Sequence, residues 1–365
     1  MSSMKILVDS VGTKHSGGAR VLVDVVTAML ADDRVGEVVL LASPARLRQF
    51  SLPMDPRLRV VDIEGAESPL GRILWVFFGL RRACRRHEHD VFLGMNGFAT
   101  RERRPRAVLV QQSLPFSAEA ISLFGWGGRL RIRLLGSLMR HGAKRADVVY
   151  VQTPVVKESV VAQFGIAEKK VQVFLPSPPR FPEGGPSVND GMAGYPEFTV
   201  LYVGNDSPYK NVKTIAEGMR LVQGVRACLY ATIEPGHPLC RTCPVTPIGR
   251  LEADELHAAY AAADVLVMPS LTETVGLPML EAMRAGTAVL AADRPYAHAV
   301  CGKAAVYFDP LSPKDFAEKL TSLLVSEAFR GQLVEAGRNR LLAIDSDTPY
   351  AKLVGHLLSL AHDRK

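Results

Sequence analysis

The chain has 365 residues, 47% apolar and 22% charged, a globular composition long enough for two domains. No run approaches the ~20 apolar residues of a membrane span. The opening MSSMKILVDS enters a strand-like segment without a leader core, so a cytoplasmic protein is expected.

The net charge of +7 is unevenly placed: residues 1–180 hold 27 Lys and Arg against 16 Asp and Glu, whereas 181–365 hold 17 against 21. The first half therefore faces either an anionic partner or simply solvent. No nucleic-acid motif accompanies the basic runs, so no nucleic-acid partner is expected. Five cysteines, odd in number and irregular in spacing, argue against a disulfide framework. Cys240 and Cys243 have C-x-x-C spacing with His237 upstream, but no second ligand pair follows, and the stretch reads as a loop.

In chain order, strands are expected at 5–9, 37–42, 58–63, 91–93, 107–110 and 148–151. Helices are expected at 19–30, 72–86 and 129–140, the last of them basic (RLRIRLLGSLMR). Residues 176–191, PSPPRFPEGGPSVNDG, are too rich in Pro and Gly for a helix or a central strand. The alternation then restarts. Strands are expected at 198–203, 225–231, 265–268, 288–291 and 305–308, and helices at 211–222, 313–325, 329–343 and 349–361. Strands separated by helices imply parallel sheets covered on both faces, with ligands beyond the strands' carboxyl ends. The expected domains are thus 1–180, a linker at 181–191, a second domain at 192–345, and a terminal helix at 346–365 that packs back on the first domain.

The strongest local signal is PSLTETVGLPMLEAM at 269–283. A buried strand ends at Pro269, a polar loop follows, Gly276 permits close backbone approach, and Pro278 suits the first turn of a helix. A strand, a Gly-bearing loop and a helix N-terminus offer free N–H groups to a phosphate. The flanking carboxylates of Glu273 and Glu281 suit sugar or ribose hydroxyls.

This segment resembles the donor-binding signature of glycosyltransferase family 4, two glutamates separated by seven residues within E-G-F-G-L-P-x-L-E-A-M-A-x-G-x-P-V. Glu273, Gly276, Leu277, Pro278, Leu280, Glu281, Ala282, Met283, Gly286 and Val289 stand in matching places. The resemblance implies that Glu273 contacts the donor sugar and Glu281 the ribose, with backbone N–H groups of Thr274, Val275, Gly276 and Leu277 meeting sugar and phosphate oxygens. Tyr202–Val212, YVGNDSPYKNV, is similar to the family's Y-V-G-R-x-x-x-x-K-N, with Gly204 in place and Lys210 as the diphosphate lysine. Here Asn205 replaces the usual arginine. The stretch 248–270 also resembles the family; its residues read mainly as core and caps, with Gly249 and Arg250 as base-side candidates. In the first half, Gly17 and Gly18 lie where the family has a Gly-Gly loop touching donor phosphate. Gln111 and Gln112 stand on the acceptor side, where many members have His-Asp; glutamine does not titrate and cannot serve as a base.

The resemblance implies an α/β GT-B fold, two Rossmann-like doubly wound domains facing a central cleft. It implies a retaining transfer of a hexose-type sugar from a nucleotide-diphosphate-sugar to a hydroxyl acceptor, in cell-surface polysaccharide or glycoconjugate synthesis. Glu273 and Lys210 would be catalytic. No cofactor and no metal are expected, because Lys210 and the helix N-terminus supply the charge. For the acceptor, two readings stand: a lipid-linked sugar at an anionic membrane surface, suited to the basic first half, and a soluble sugar or natural product. Two other functions fit the same architecture, a non-catalytic nucleotide-sugar-binding partner and a nucleotide-sugar epimerase.

Overall fold

Strands built of Val, Leu and Ala without polar alternation must be covered on both faces, and both sheets meet that demand. The computed structural model describes residues 3–13, 17–43, 51–66, 68–101, 103–178 and 197–362. The linker expected at 181–191 lies outside them, as do the neighbouring residues to 196. Two compact units result. One contains the described residues up to Phe116, Gly127–Pro176 and those from Thr348 onward; the other contains Ser117–Trp126 and the described residues of Ser177–Asp347.

In the first unit β1 (Met4–Asp9), β2 (Val35–Ala42), β3 (Leu58–Asp62), β4 (Val91–Gly94), β5 (Arg106–Val110), β6 (Val148–Val151) and β7 (Val171–Val173) lie in the order β3-β2-β1-β4-β5-β6-β7. Every pairing is parallel. Helix α1 (Gly17–Leu30) follows β1 and buries Val21, Leu22, Val25, Val26 and Met29. Helix α2 (Trp126–Arg145) contains the basic run expected at 129–140 and buries Ile132, Met139, Gly142 and Ala143.

The second unit repeats the pattern. Strands β8 (Phe198–Tyr202), β9 (Ala227–Ala231), β10 (Val245–Pro247), β11 (Val265–Met268), β12 (Ala288–Ala292) and β13 (Val306–Phe308) pair in the order β10-β9-β8-β11-β12-β13. This is the doubly wound Rossmann order, with its reversal between β8 and β11. Helices α3 (Val212–Met219), α4 (Ala253–Ala262) and α5 (Leu277–Ala285) frame that reversal. Short β7 (Val-Gln-Val) and β10 (Val-Thr-Pro) are not expected from the sequence, since a polar residue interrupts each apolar run, unlike the Val-Tyr-Phe of β13.

The last helix, α6 (Pro349–His362), belongs to the first unit, where it packs on α1 and β4. The Tyr350 hydroxyl donates to Asp24 Oδ2 at 3.0 Å, and the Tyr150 hydroxyl and His356 Nδ1 share a 3.0 Å hydrogen bond. Leu353, Val354, Leu357 and Leu358 supply its buried face.

The helix expected at 72–86 is a longer composite: an α-helix at Pro69–Leu74, a π-helical turn at Trp75–Gly79 and an α-helix at Leu80–Arg86. Within the π turn the Trp75 indole packs close against Gly79, where a Cβ would fall 2.4 Å from the ring. The indole N–H donates to Asp9 Oδ1 at 3.2 Å, and the Val11 N–H reaches the same oxygen at 3.2 Å. Asp9 ends β1 and is only 1% exposed. Its Oδ2 finds no hydrogen-bond partner among the described residues. Burial pushes its carboxyl up to about 7, against the downward pull of the two hydrogen bonds.

A carboxyl raised from the usual ~3.9 makes the fold most stable when protonated, so stability is lost as pH climbs from about 4 to about 7. The raised value corresponds to a loss on the order of 4 kcal/mol over that window. Asp9→Asn keeps the acceptor and removes the titration. Urea unfolding of the variant is expected to lack that part of the pH dependence and to show higher stability than wild type at pH 8. Equal pH dependence in the two proteins would refute the assignment.

Candidate functional site

The candidate residues fall into two sets, one in each unit. In the second unit, β11 ends at Met268, and residues 269–275 form the loop to α5. Gly276 caps that helix at φ 77°, in the left-handed region open to glycine, and has no side chain to cover the first-turn N–H groups. A Cβ there would also fall 2.8 Å from Met279 Cε and 3.2 Å from Met268 Cε. Pro278 in the first turn needs no acceptor. Val275 is buried, so it contributes backbone, while Thr274 and Leu277 are half-buried.

Lys210 arrives from the adjacent strand. β8 leads through Gly204 and Asn205 to a 3-10 turn at Pro208–Lys210. A Cβ on Gly204 would lie 2.5 Å from the Tyr202 hydroxyl, so glycine is required. Thr232 Oγ1 clamps the same residue, accepting its N–H at 2.8 Å and donating to its carbonyl at 3.0 Å. Asn205 itself is exposed, and its side-chain oxygen accepts the Ser207 N–H at 3.0 Å within its own turn.

Asn211, at φ 56°, ties this turn to the rest of the site. Its Nδ2 donates to the Pro269 carbonyl at 3.3 Å and to the Pro310 carbonyl at 2.7 Å, and its Oδ1 accepts from Thr214 at 2.8 Å. The Leu271 N–H closes the junction on the Tyr209 carbonyl at 2.8 Å. These bonds bring Lys210 Nζ within 2.5 Å of Glu273 Oε1, with both side chains 14% exposed. Burial pulls the lysine pKa down more than any other single influence. The Glu273 charge, Tyr209 and the hydrogen bond to Glu273 together outweigh it and hold Lys210 above its ordinary value. Lys210 is a fixed cation at neutral pH.

Glu281 projects from α5 and its Oε2 accepts from the Tyr260 hydroxyl at 2.7 Å. Tyr260 on α4 is fully buried, and burial foremost pushes its hydroxyl well up, so it remains a donor. Its backbone carbonyl takes the Thr287 hydroxyl at 2.6 Å. Arg250 lies exposed beyond β10, after Gly249 at φ 66°, with no ion pair among the described residues. Tyr260, Asn211 and Thr232 position the site, and motif reading does not find their roles: Tyr260 and Asn211 stand inside matched stretches, but nothing in those stretches states which side chain each one holds.

In the first unit Gly17 and Gly18 open α1, while Ser16 lies outside the described residues. Gly18 abuts the end of β5: a Cβ there would sit 3.3 Å from Gln111 Oε1. Gln111 donates to the Met95 carbonyl at 2.9 Å, and Gln112 is exposed. Asn96 bridges nearby loops, donating to the Val11 carbonyl at 3.3 Å and to Thr13 Oγ1 at 3.2 Å. Gln111 is therefore a hydrogen-bonding group with its oxygen turned toward the start of α1. Among the described residues no three His, Cys, Asp or Glu side chains group as metal ligands. His237 lies 3.4 Å from Asp206, and neither Cys240 nor Cys243 forms a disulfide.

Two parallel doubly wound sheets of this strand order are those of the GT-B fold. Its solved members include WaaG, a glycosyltransferase involved in lipopolysaccharide biosynthesis, with a TM-score of 0.76 at 17% identity, covering 97% of this chain and 99% of that one. They also include Anabaena Alr3699/HepE in complex with UDP-glucose, with a TM-score of 0.68 at 17% identity, covering 98% and 99%. More particularly, residues 197–326, within the second unit, match the family model described as glycosyl transferases group 1. The sulfoquinovosyl transferase SQD2 of Arabidopsis thaliana is 26% identical over 221 residues, 57% of this chain and 43% of the relative. The chain spans less than half the length of that relative.

Removing one member of the Lys210–Glu273 pair strands a poorly hydrated charge. Lys210→Met and Glu273→Gln are each expected to cost about 3 kcal/mol. The double variant should recover most of that. A double-mutant cycle in urea checks the coupling, and simple additivity would mean that the pair does not act as a unit.

Proposed function

We propose that the protein is a retaining, metal-independent glycosyltransferase that moves a hexose-type sugar from a nucleotide-diphosphate-sugar to a hydroxyl acceptor. The observation that carries this reading is the Lys210–Glu273 pair, held at the β8/β11 reversal beside the Gly276-capped start of α5. Without donor the cation and carboxylate satisfy each other. A donor diphosphate offers Lys210 and the N–H groups of residues 274–277 a stronger anion, which frees Glu273 to accept from sugar hydroxyls. Glu281, oriented by Tyr260, is placed to take the ribose hydroxyls. Arg250, Gly204 and Asn205 complete the donor side. The structural likeness to a protein solved with UDP-glucose supports a nucleotide sugar as the donor class.

In the transfer itself, the bond from the anomeric carbon to the diphosphate oxygen breaks as the acceptor oxygen attacks from the same face. The acceptor's proton passes to the departing phosphate oxygen. Lys210 and the helix terminus stabilise the developing diphosphate charge, and Glu273 the flattened, cationic sugar. No protein base is required, consistent with a glutamine at 111. Gly17, Gly18, Gln111 and Gln112 serve the donor phosphate and acceptor hydroxyls. The acceptor is a sugar or lipid-linked sugar in cell-surface polysaccharide or glycoconjugate synthesis, reached by a cytoplasmic protein peripheral to the membrane. Among the described residues no helix is long and apolar enough to cross a membrane.

Thermal-shift measurement against a panel of nucleotide sugars names the donor, because a ligand of the native state raises the melting temperature. Donor turnover should survive EDTA; loss restored by magnesium would overturn the metal-independent mechanism. Glu273→Gln should lower kcat about 100-fold. Glu281→Ala and, more mildly, Tyr260→Phe should weaken free nucleotide binding, by roughly tenfold for the alanine. Unchanged nucleotide affinity in Glu281→Ala would remove the ribose assignment.

A further inference from the structure

The composite helix at 69–86 is apolar on two sides. Its inner side buries Trp75, Leu80, Ala83 and Cys84 in the first unit's core. Its outer side leaves Leu70, Leu74, Phe77 and Phe78 exposed at 67%, 51%, 50% and 72%. These four follow i, i+4, i+7, i+8 spacing and so share one stripe. The stripe continues into Arg81, Arg82 and Arg85, all exposed. None of the three makes an ion pair with a described residue.

Scattered surface leucines need no explanation, but two adjacent exposed phenylalanines aligned with two leucines form a contiguous patch. The helix cannot roll to hide them. Trp75 is locked by the Asp9 hydrogen bond and by its close contact with Gly79. Turning Phe77 and Phe78 inward would pull the indole out of the core.

We propose that this outer face is a lipid-docking surface for an anionic bilayer. Phe77, Phe78, Leu70 and Leu74 enter the boundary between headgroups and acyl chains, and Arg81, Arg82 and Arg85 bind headgroup phosphates. An apolar stripe leading into unpaired arginines is the pattern of an interfacial helix. The same charge argues against a second copy as the occupant, since like arginines would meet across a self-complementary interface. The inference deepens the reading of a membrane-presented acceptor. It assigns the contact to the 69–86 helix, whereas the basic run at 129–140 is the segment that stands out in the sequence.

The test uses the full chain with phosphatidylglycerol and phosphatidylcholine vesicles, at low and high salt. Wild type should co-sediment with the anionic vesicles alone at low salt. Phe77→Ser/Phe78→Ser should reduce partitioning roughly tenfold or more at every salt concentration, through lost apolar insertion. Arg81→Gln/Arg82→Gln should lose about fivefold per residue at low salt and little at high salt. Replacing Arg129, Arg131 and Arg133 by Gln should have a smaller effect. All these positions are exposed, and circular dichroism with UDP-sugar thermal shifts confirms folding and donor binding in each variant. Wild-type indifference to anionic vesicles overturns the proposal, as does full binding by the phenylalanine variant. Concentration-dependent dimerisation abolished by that variant, without vesicle binding, assigns the face to a second copy. Each of these outcomes leaves the donor assignment standing on its own thermal shift.

Discussion

An ammonium and a carboxylate held 2.5 Å apart, each with only 14% of its side chain exposed, must satisfy one another because neither recovers full hydration. The carboxyl end of the second sheet is organised around that requirement. Lys210 comes from the turn after β8 and Glu273 from the loop after β11, strands that are distant in sequence but adjacent at the point where the strand order reverses. Asn211 in the left-handed region, with two amide hydrogen bonds to the loops beyond β11 and β13, fixes the spacing between the two charges. The backbone strain of a non-glycine residue at φ 56° is thus offset by three hydrogen bonds that a glycine could not make.

The same economy governs Glu281. A carboxylate on a helix facing a ligand site has several rotamers available, and the buried Tyr260 hydroxyl selects one of them. Tyr260 is anchored in turn by packing and through its carbonyl to Thr287. The Glu281 carboxylate is thus held by two side chains, Tyr260 directly and Thr287 through it. Its position therefore depends on the packing of α4 against α5 more than on the loop sequence itself.

In the first unit the corresponding constraint is the buried carboxyl of Asp9. It sits at the end of β1, where the chain leaves the sheet toward α1, and it joins that loop to the 69–86 helix through Trp75. One hydrogen bond thereby fixes the rotation of a helix that is apolar on two sides, and with it the exposure of Phe77 and Phe78. Close by, Gly18 admits Gln111 to the start of α1, so an amide hydrogen-bonding group stands where the strands end.

The amino-acid sequence by itself determined the two parallel sheets, because runs such as VLVM at 265–268 and AVLA at 288–291 have no stable alternative to complete burial. It also determined the loop and helix at 269–285, because Gly276 and Pro278 state their backbone geometry locally. The Lys210–Glu273 contact was legible only as two separate residues; their meeting depends on β8 and β11 becoming neighbours, which no local pattern encodes. Short β7 and β10, each interrupted by a polar residue, came from tertiary pairing, and although the terminal helix was expected on the first domain, its seat on α1 was not legible, since an amphipathic helix does not name its partner. The exposed stripe on the 69–86 helix was decided by tertiary structure alone. Apolar residues at 70, 74, 77 and 78 read as core in any window, and only the hydrogen bond from Trp75 to Asp9 selects which side of that helix faces inward.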